Sequence, residues 1–167
     1  MLERGRGVFY LVAAGLIGVV LVTLDRLPPV VASHFDGAGV PNGWSSRSGY
    51  ALLLLAIGVL IPLSTTALIR AVTRQGPAGL NIPARDYWTR PENAGEAVRR
   101  VRAYIWWLGS IMAGTALFIH LLVLAAHQQE PPRLNTSAIL LVIGAVVLGI
   151  AGWAAGWYWL LRRPSPH

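Results

Sequence analysis

The sequence predicts an all-α integral membrane protein, a four-transmembrane-helix bundle with both termini cytoplasmic and a compact Gly/Pro-rich outer loop between the first two helices. Three observations carry that expectation: composition, the length of the apolar runs, and the placement of arginine. Of the 167 residues, 54% are hydrophobic and only 13% charged, and the mean hydropathy is +0.54, outside the usual soluble range. Uninterrupted apolar stretches run from Val8 to Leu24, Tyr50 to Ile69, Tyr104 to Ala126 and Ser137 to Leu161. Each is about 17–25 residues long, the length a helix rising about 1.5 Å per residue needs to cross roughly 30 Å of hydrocarbon. Because lipid supplies no partner for a free N–H or C=O, such runs are helices unless they close a barrel, and they lack the alternation a barrel requires. Residues 1–167 form a single membrane domain in this reading.

The first run follows Arg4 and Arg6. That pattern also describes a secretory signal, with Val31-Ala32-Ser33 as a weak cleavage site, but the stretch is long for a signal core. Arginine then orients the whole chain. Arg4, Arg6, Arg70, Arg74, Arg85, Arg90, Arg99, Arg100, Arg102, Arg162 and Arg163 fall on one side, against Arg26, Arg47 and Arg133 on the other. Positive loops stay cytoplasmic, so the termini and the loop 72–103 belong inside a cell membrane. The formal charge of +7 therefore reports topology and contact with membrane lipid rather than nucleic acid.

Between the first two runs lies "ASHFDGAGVPNGW", with His34 and Asp36 among turn-forming residues. The second run carries Pro62, whose missing N–H predicts a kink, followed by Ser64, Thr65 and Thr66, whose hydroxyls can satisfy freed carbonyls. In the inner loop, Pro91 with Glu92 and Glu96 reads as the start of a short helix leading into the third run, and its arginines are expected to meet anionic headgroups. The third run holds His120, about 9 Å below its outer end by helical rise. His127 follows on the same face, and Glu130 lies in the short outer loop. In the fourth run, Gly149, Gly152 and Gly156 would allow close helix packing, favoured within the bundle over a partner chain. Tyr10, Tyr104, Trp106, Trp107, Trp153, Trp157, Tyr158 and Trp159 map to the inner interface, and Trp44 and Tyr50 to the outer one, as anchors in the headgroup layer.

Cysteine is absent, which excludes disulfides and thiolate chemistry. His34, Asp36 and His120 could group two imidazoles and a carboxylate around zinc or another divalent ion, with His127 and Glu130 as further polar ligands. An H-x-D pair is far less specific than H-E-x-x-H, and no nucleophile or general base stands out. The competing reading is structural: Asp36 caps an Asp-Gly turn, Asn42-Gly43 makes a second turn, and His120 hydrogen-bonds to a neighbouring helix.

The stretch "LPPVVASHFDGAGVPNGWSSRSGY" resembles the family known as domain of unknown function 1648. The matching elements are Leu27-Pro28, His34-Phe35, Gly39-Val40-Pro41 and Trp44; "NIPARDYW" (Asn81, Pro83, Arg85, Asp86, Tyr87 and Trp88) and "FIHLLVLAAH" (Phe118 to His127) are similar to its inner-loop and third-span patterns. The resemblance implies a relation to the N-terminal domain of SdpI-type immunity proteins, although this short chain is expected to lack their additional C-terminal membrane domain. It also implies a small bacterial-type membrane protein acting by protein binding, as an immunity or sensor component or an accessory subunit. A metal-binding protein or metal-dependent enzyme, or a small transporter, are the alternatives. The same framework residues, with His120, are the ones the resemblance marks as functional or structural.

Overall fold

A computed structural model describes residues 4–163; residues 1–3 and 164–167, and with them the terminal ends of the predicted domain, lie outside the described residues. Among the described residues, four helices are long and apolar enough to cross a membrane: Arg4–Arg26, Arg47–Val72, Pro91–Ala126 and Thr136–Leu161. Helix α1 (Arg4–Thr23) ends in a 3-10 turn, Leu24–Arg26. Strands β1 (Val30–Phe35) and β2 (Pro41–Ser46) follow. The second crossing is built from α2 (Arg47–Leu55), a π-helical turn (Ala56–Leu60) and α3 (Ile61–Val72). After the short α4 (Arg85–Trp88) come α5 (Pro91–Ala126) and α6 (Thr136–Leu161).

The all-α expectation needs one correction. The compact loop after α1 is an antiparallel hairpin, pairing Val30 with Ser46, Val31 with Ser45, Ala32 with Trp44, His34 with Gly43 and Phe35 with Pro41. Asp36 does cap its own turn, its Oδ1 accepting from the backbone N–H of Ala38 and of Val40 at 2.9 Å each. Asn42-Gly43 is not a second turn but part of β2. Close cross-strand contact explains this choice, because a Cβ on Gly43 would lie 2.8 Å from the Cβ of His34.

Helix α5 starts at Pro91, as proline at the first helical position favours, and continues without a break into the third span. At 36 residues it is about 54 Å long by helical rise, so its first turns project beyond the hydrocarbon. Its arginines do not all face solvent. Arg102 donates to Thr73 Oγ1 (2.8 Å), Thr73 O (3.1 Å) and Arg70 O (3.2 Å), capping the C-terminus of α3. Arg100 donates to Leu160 O at 2.8 Å and stacks over Trp88, whose Nε1–H donates to Leu161 O. These bonds serve carbonyls that a helix end leaves without intrahelical donors, and they place the arginine-rich ends of α3, α5 and α6 together.

Pro62 is accommodated upstream: the π-turn at Ala56–Leu60 absorbs the proline one turn later, and Thr66 Oγ1–H donates to Pro62 O at 2.9 Å. Gly58 in that turn is where α1 and α5 close on the second span; an added Cβ would collide with Leu16 Cδ2 and lie 3.1 Å from the Ala116 Cβ. The glycines of α6 divide. Gly149 and Gly156 face Ile111 and Tyr104 of α5, whereas Gly152 is exposed and touches nothing. The internal packing expected of all three is carried by two.

Several aromatics are packed rather than set as interfacial anchors. Tyr104 stacks on Trp153 (5.8 Å) and donates its hydroxyl to Trp153 O, Trp153 stacks on Trp157 (5.5 Å), and Trp106 is buried against Phe9. Tyr10, Tyr158 and Trp159 remain exposed. Gly58→Val is expected to destabilise the protein by about 1–3 kcal/mol through overpacking at the three-span junction, read as a lowered Tm in detergent; Gly152→Val, on the exposed face of α6, is expected to leave Tm unchanged.

Candidate functional site

The buried polar centre lies below the hairpin. His120 is fully buried in α5, with Nε2 2.8 Å from Thr23 Oγ1 of α1 and Nδ1 3.1 Å from the Tyr50 hydroxyl of α2. The Thr23 hydroxyl hydrogen is committed to Val19 O at 2.6 Å. The arrangement that satisfies every atom therefore has Nε2–H donating to Thr23 and Nδ1 accepting from Tyr50, a neutral imidazole. One histidine thus joins three helices at a common depth. The Tyr50 ring also stacks on the imidazole at 5.8 Å, which corrects its reading as an interfacial anchor.

One face of α5 carries both histidines, and the second ties down the hairpin. His127 donates Nδ1–H to Val123 O (2.9 Å), leaving Nε2 to accept from Ala32 N–H of β1 at 3.1 Å. The hairpin tip docks on the segment between α5 and α6, with Leu134 N–H donating to Gly39 O at 3.0 Å. Gly39 has φ +79°, a left-handed conformation, and a Cβ there would collide with the Leu134 carbonyl; both conditions favour glycine. Arg47 bridges back to Asp25 at 3.0 Å and to Pro28 O at 3.4 Å. Leu27 and Val31 are buried in the core cluster that includes Tyr50, and Phe35 packs against it. Trp44 and Glu130 are exposed.

The proposed metal set is not assembled. His34 is exposed and pairs through Nδ1 with Asn42 Oδ1; Asp36 is spent on its turn; His120 lies beneath the hairpin with both nitrogens paired. Among the described residues, no group of three or more His, Cys, Asp or Glu could hold an ion. In the inner-loop motif, Trp88 is buried as the clasp on α6, Arg85 donates to Ala78 O (2.8 Å), and Tyr87 O accepts from Asn93. Asn81 and Asp86 are exposed and Pro83 is half-buried.

Between the hairpin and the outer half of α5 and α6 is a cleft of 170 Å³ lined by Phe35, Ile119, Leu122, Val142 and Ile143, with Ser33 and His34 as its polar part. A second opening of 240 Å³, lined by Phe118, Val142 and Val146 among others, lies along the same seam. Sequence reasoning missed Thr23 and Tyr50. Their signal is depth: a span polar group at the level of His120 is a candidate partner, since an imidazole in lipid needs one.

Residues 11–59 match the family model described as "Domain of unknown function (DUF1648)". No curated protein and no solved structure matches the chain. The matched segment contains α1 from Leu11, the hairpin, α2 and most of the π-turn, and so includes Thr23 and Tyr50 while His120 lies outside it.

Tyr50→Phe is expected to cost about 0.6 kcal/mol and at most about 1.7 kcal/mol, the range for hydrogen bonds between helices in lipid. His120→Ala is expected to cost more, because it removes both bonds, leaves the buried Tyr50 hydroxyl without an acceptor and opens a void. In a double-mutant cycle monitored by unfolding in mixed micelles, Tyr50→Phe should cost nothing further once His120 is alanine, and should recover part of the loss by removing the unpaired hydroxyl.

Proposed function

Because the segment 11–59 belongs to the DUF1648 family and sits in a chain with four membrane-crossing helices, we propose that the protein acts by binding a second membrane protein, as an immunity or sensor component or an accessory subunit. The observation that carries this reading is the uneven attachment of α6. Its inner half is pinned to α5 by the Tyr104–Trp153–Trp157 stack and the Arg100 bond to Leu160 O, and to α4 by the Trp88 bond to Leu161 O. Its outer half is separated from α5 by the two clefts, and none of its most hydropathic window is buried.

Along this outer half of α6, apolar surface stands open beside a hairpin held in place by His127 and Gly39. An apolar helix or peptide from a partner fits a cleft of that lining, with His34 and Ser33 at the rim supplying polar contacts. Chemistry at His120 has no part in this reading, since both ring nitrogens are paired and the side chain is fully buried. The distribution of arginine supports placing the termini and the loop 72–103 on the cytoplasmic side of the cell membrane, which sets the hairpin and cleft outside.

Extraction in native lipid particles should recover one further chain in fixed ratio, and Val142→Trp, whose larger side chain would intrude where both clefts meet, should release it without lowering Tm. Recovery of the protein alone, or a complex indifferent to Val142→Trp, would reject the reading.

A further inference from the structure

A further cleft lies at the opposite end. It has a volume of 610 Å³ and is lined by Arg6 from the first turns of α1, Arg70 from the last turn of α3, and Arg99 and Arg102 from α5, with Trp106 and Val98 among its apolar walls. Among the described residues, none of those lining it is acidic. Four guanidinium groups converging on one space repel one another, and such a cluster is stable only where an anion or water screens it.

Their existing bonds define what remains free. Arg102 spends Nε and Nη2 on the end of α3, which fixes its plane and leaves Nη1 for the cleft. Arg99 shares the Glu96 carboxylate with Arg100. Arg70 sits over the Trp106 ring at 5.8 Å, and neither it nor Arg6 has a side-chain hydrogen-bond partner among the described residues. These are forked, permanently charged donors held on three different helices, the arrangement that suits the several oxygens of a phosphate.

We propose that this cleft binds the phosphate of an anionic phospholipid headgroup through Arg6, Arg70, Arg99 and Arg102. A lipid is favoured over free phosphate by position. The cleft lies at the ends of membrane-crossing helices, and one turn along α1 from Arg6 is Tyr10, exposed and 5.5 Å from the Trp106 ring. An acyl chain leaving the phosphate therefore meets an aromatic surface at headgroup depth. The proposal rests on the fold alone and is independent of the partner reading, whose cleft is at the other end of the bundle.

Native mass spectrometry of the full chain in detergent, titrated with phosphatidylglycerol and phosphatidylcholine of equal acyl length, tests it. One phosphatidylglycerol should be retained selectively. The double variant Arg6→Gln/Arg70→Gln should weaken that binding roughly thirtyfold, from about 1 kcal/mol per arginine, while Arg74→Gln, outside the cleft, should not. Both variants remove exposed side chains, and an unchanged Tm confirms that they fold. Equal retention of the two lipids, or equal loss in Arg74→Gln, would overturn the site. Inorganic phosphate in large excess should leave the bound lipid in place; displacement by phosphate at concentrations equal to the lipid would overturn the lipid assignment in favour of a soluble phosphate.

Discussion

An imidazole surrounded by hydrocarbon must spend its nitrogens on protein, and His120 spends them on two different helices. That requirement sets the relative height of α1, α2 and α5: Thr23 is the last residue of its helix, Tyr50 lies in the first turns of its own, and His120 sits below the end of α5. Sliding any one helix by a turn, about 5.4 Å, would break a bond that lipid cannot replace. Apolar packing is non-directional and tolerates such a slide far better. Small residues then let the three spans close. Ala113 and Ala116 of α5 and Gly58 of the π-turn bring backbones together where Leu16 fills the remaining space.

The hairpin is a consequence of the same anchorage. A two-stranded sheet alone is marginal in water, and this one survives because it is attached on every side. His127 holds the middle of β1, Leu134 holds the tip, Arg47 holds the base through Pro28 and Asp25, and Val31 is buried in the helical core. His127 and Arg47 share this work at the hairpin end, and arginines do it at the other. There the acceptors are carbonyls at the ends of α3 and α6, which guanidinium groups on α5 satisfy while keeping part of each fork free. Helix α5 is thus the axis to which everything else is tied.

How much of this the sequence disclosed depends on whether a residue acts within its own segment or across segments. The four spans were legible because run length is a local property, and so was the start of α5 at Pro91. The Asp36 turn is local too. The strands were hidden because "VVASHF" and "PNGWSS" lack a clean alternation, and their pairing depends on Gly43 admitting the His34 side chain. His120 stood out as an ionisable group inside a span, but its partners did not. A threonine and a tyrosine near span ends look like interfacial residues until the helices are placed side by side. Arg100 and Arg102 looked like lipid contacts for the same reason: sequence counts charges and does not reveal which carbonyls lie within reach.

Glu96 links the two halves of the arginine-rich end. Its carboxylate is shared between Arg99, which lines the cleft, and Arg100, which holds the last turn of α6. An anion bound by Arg99 competes with Glu96 for that guanidinium and leaves the carboxylate to Arg100. Arg100 then becomes better fixed in the position from which it donates to Leu160 O. By linkage the effect is reciprocal, so whatever draws α6 away from α5 loosens Arg100 and returns Glu96 to compete at the cleft. The carboxylate is half-buried, where charges are screened less than on an open surface. With an anion in that cleft, its occupancy and the seating of α6 would be coupled through Glu96.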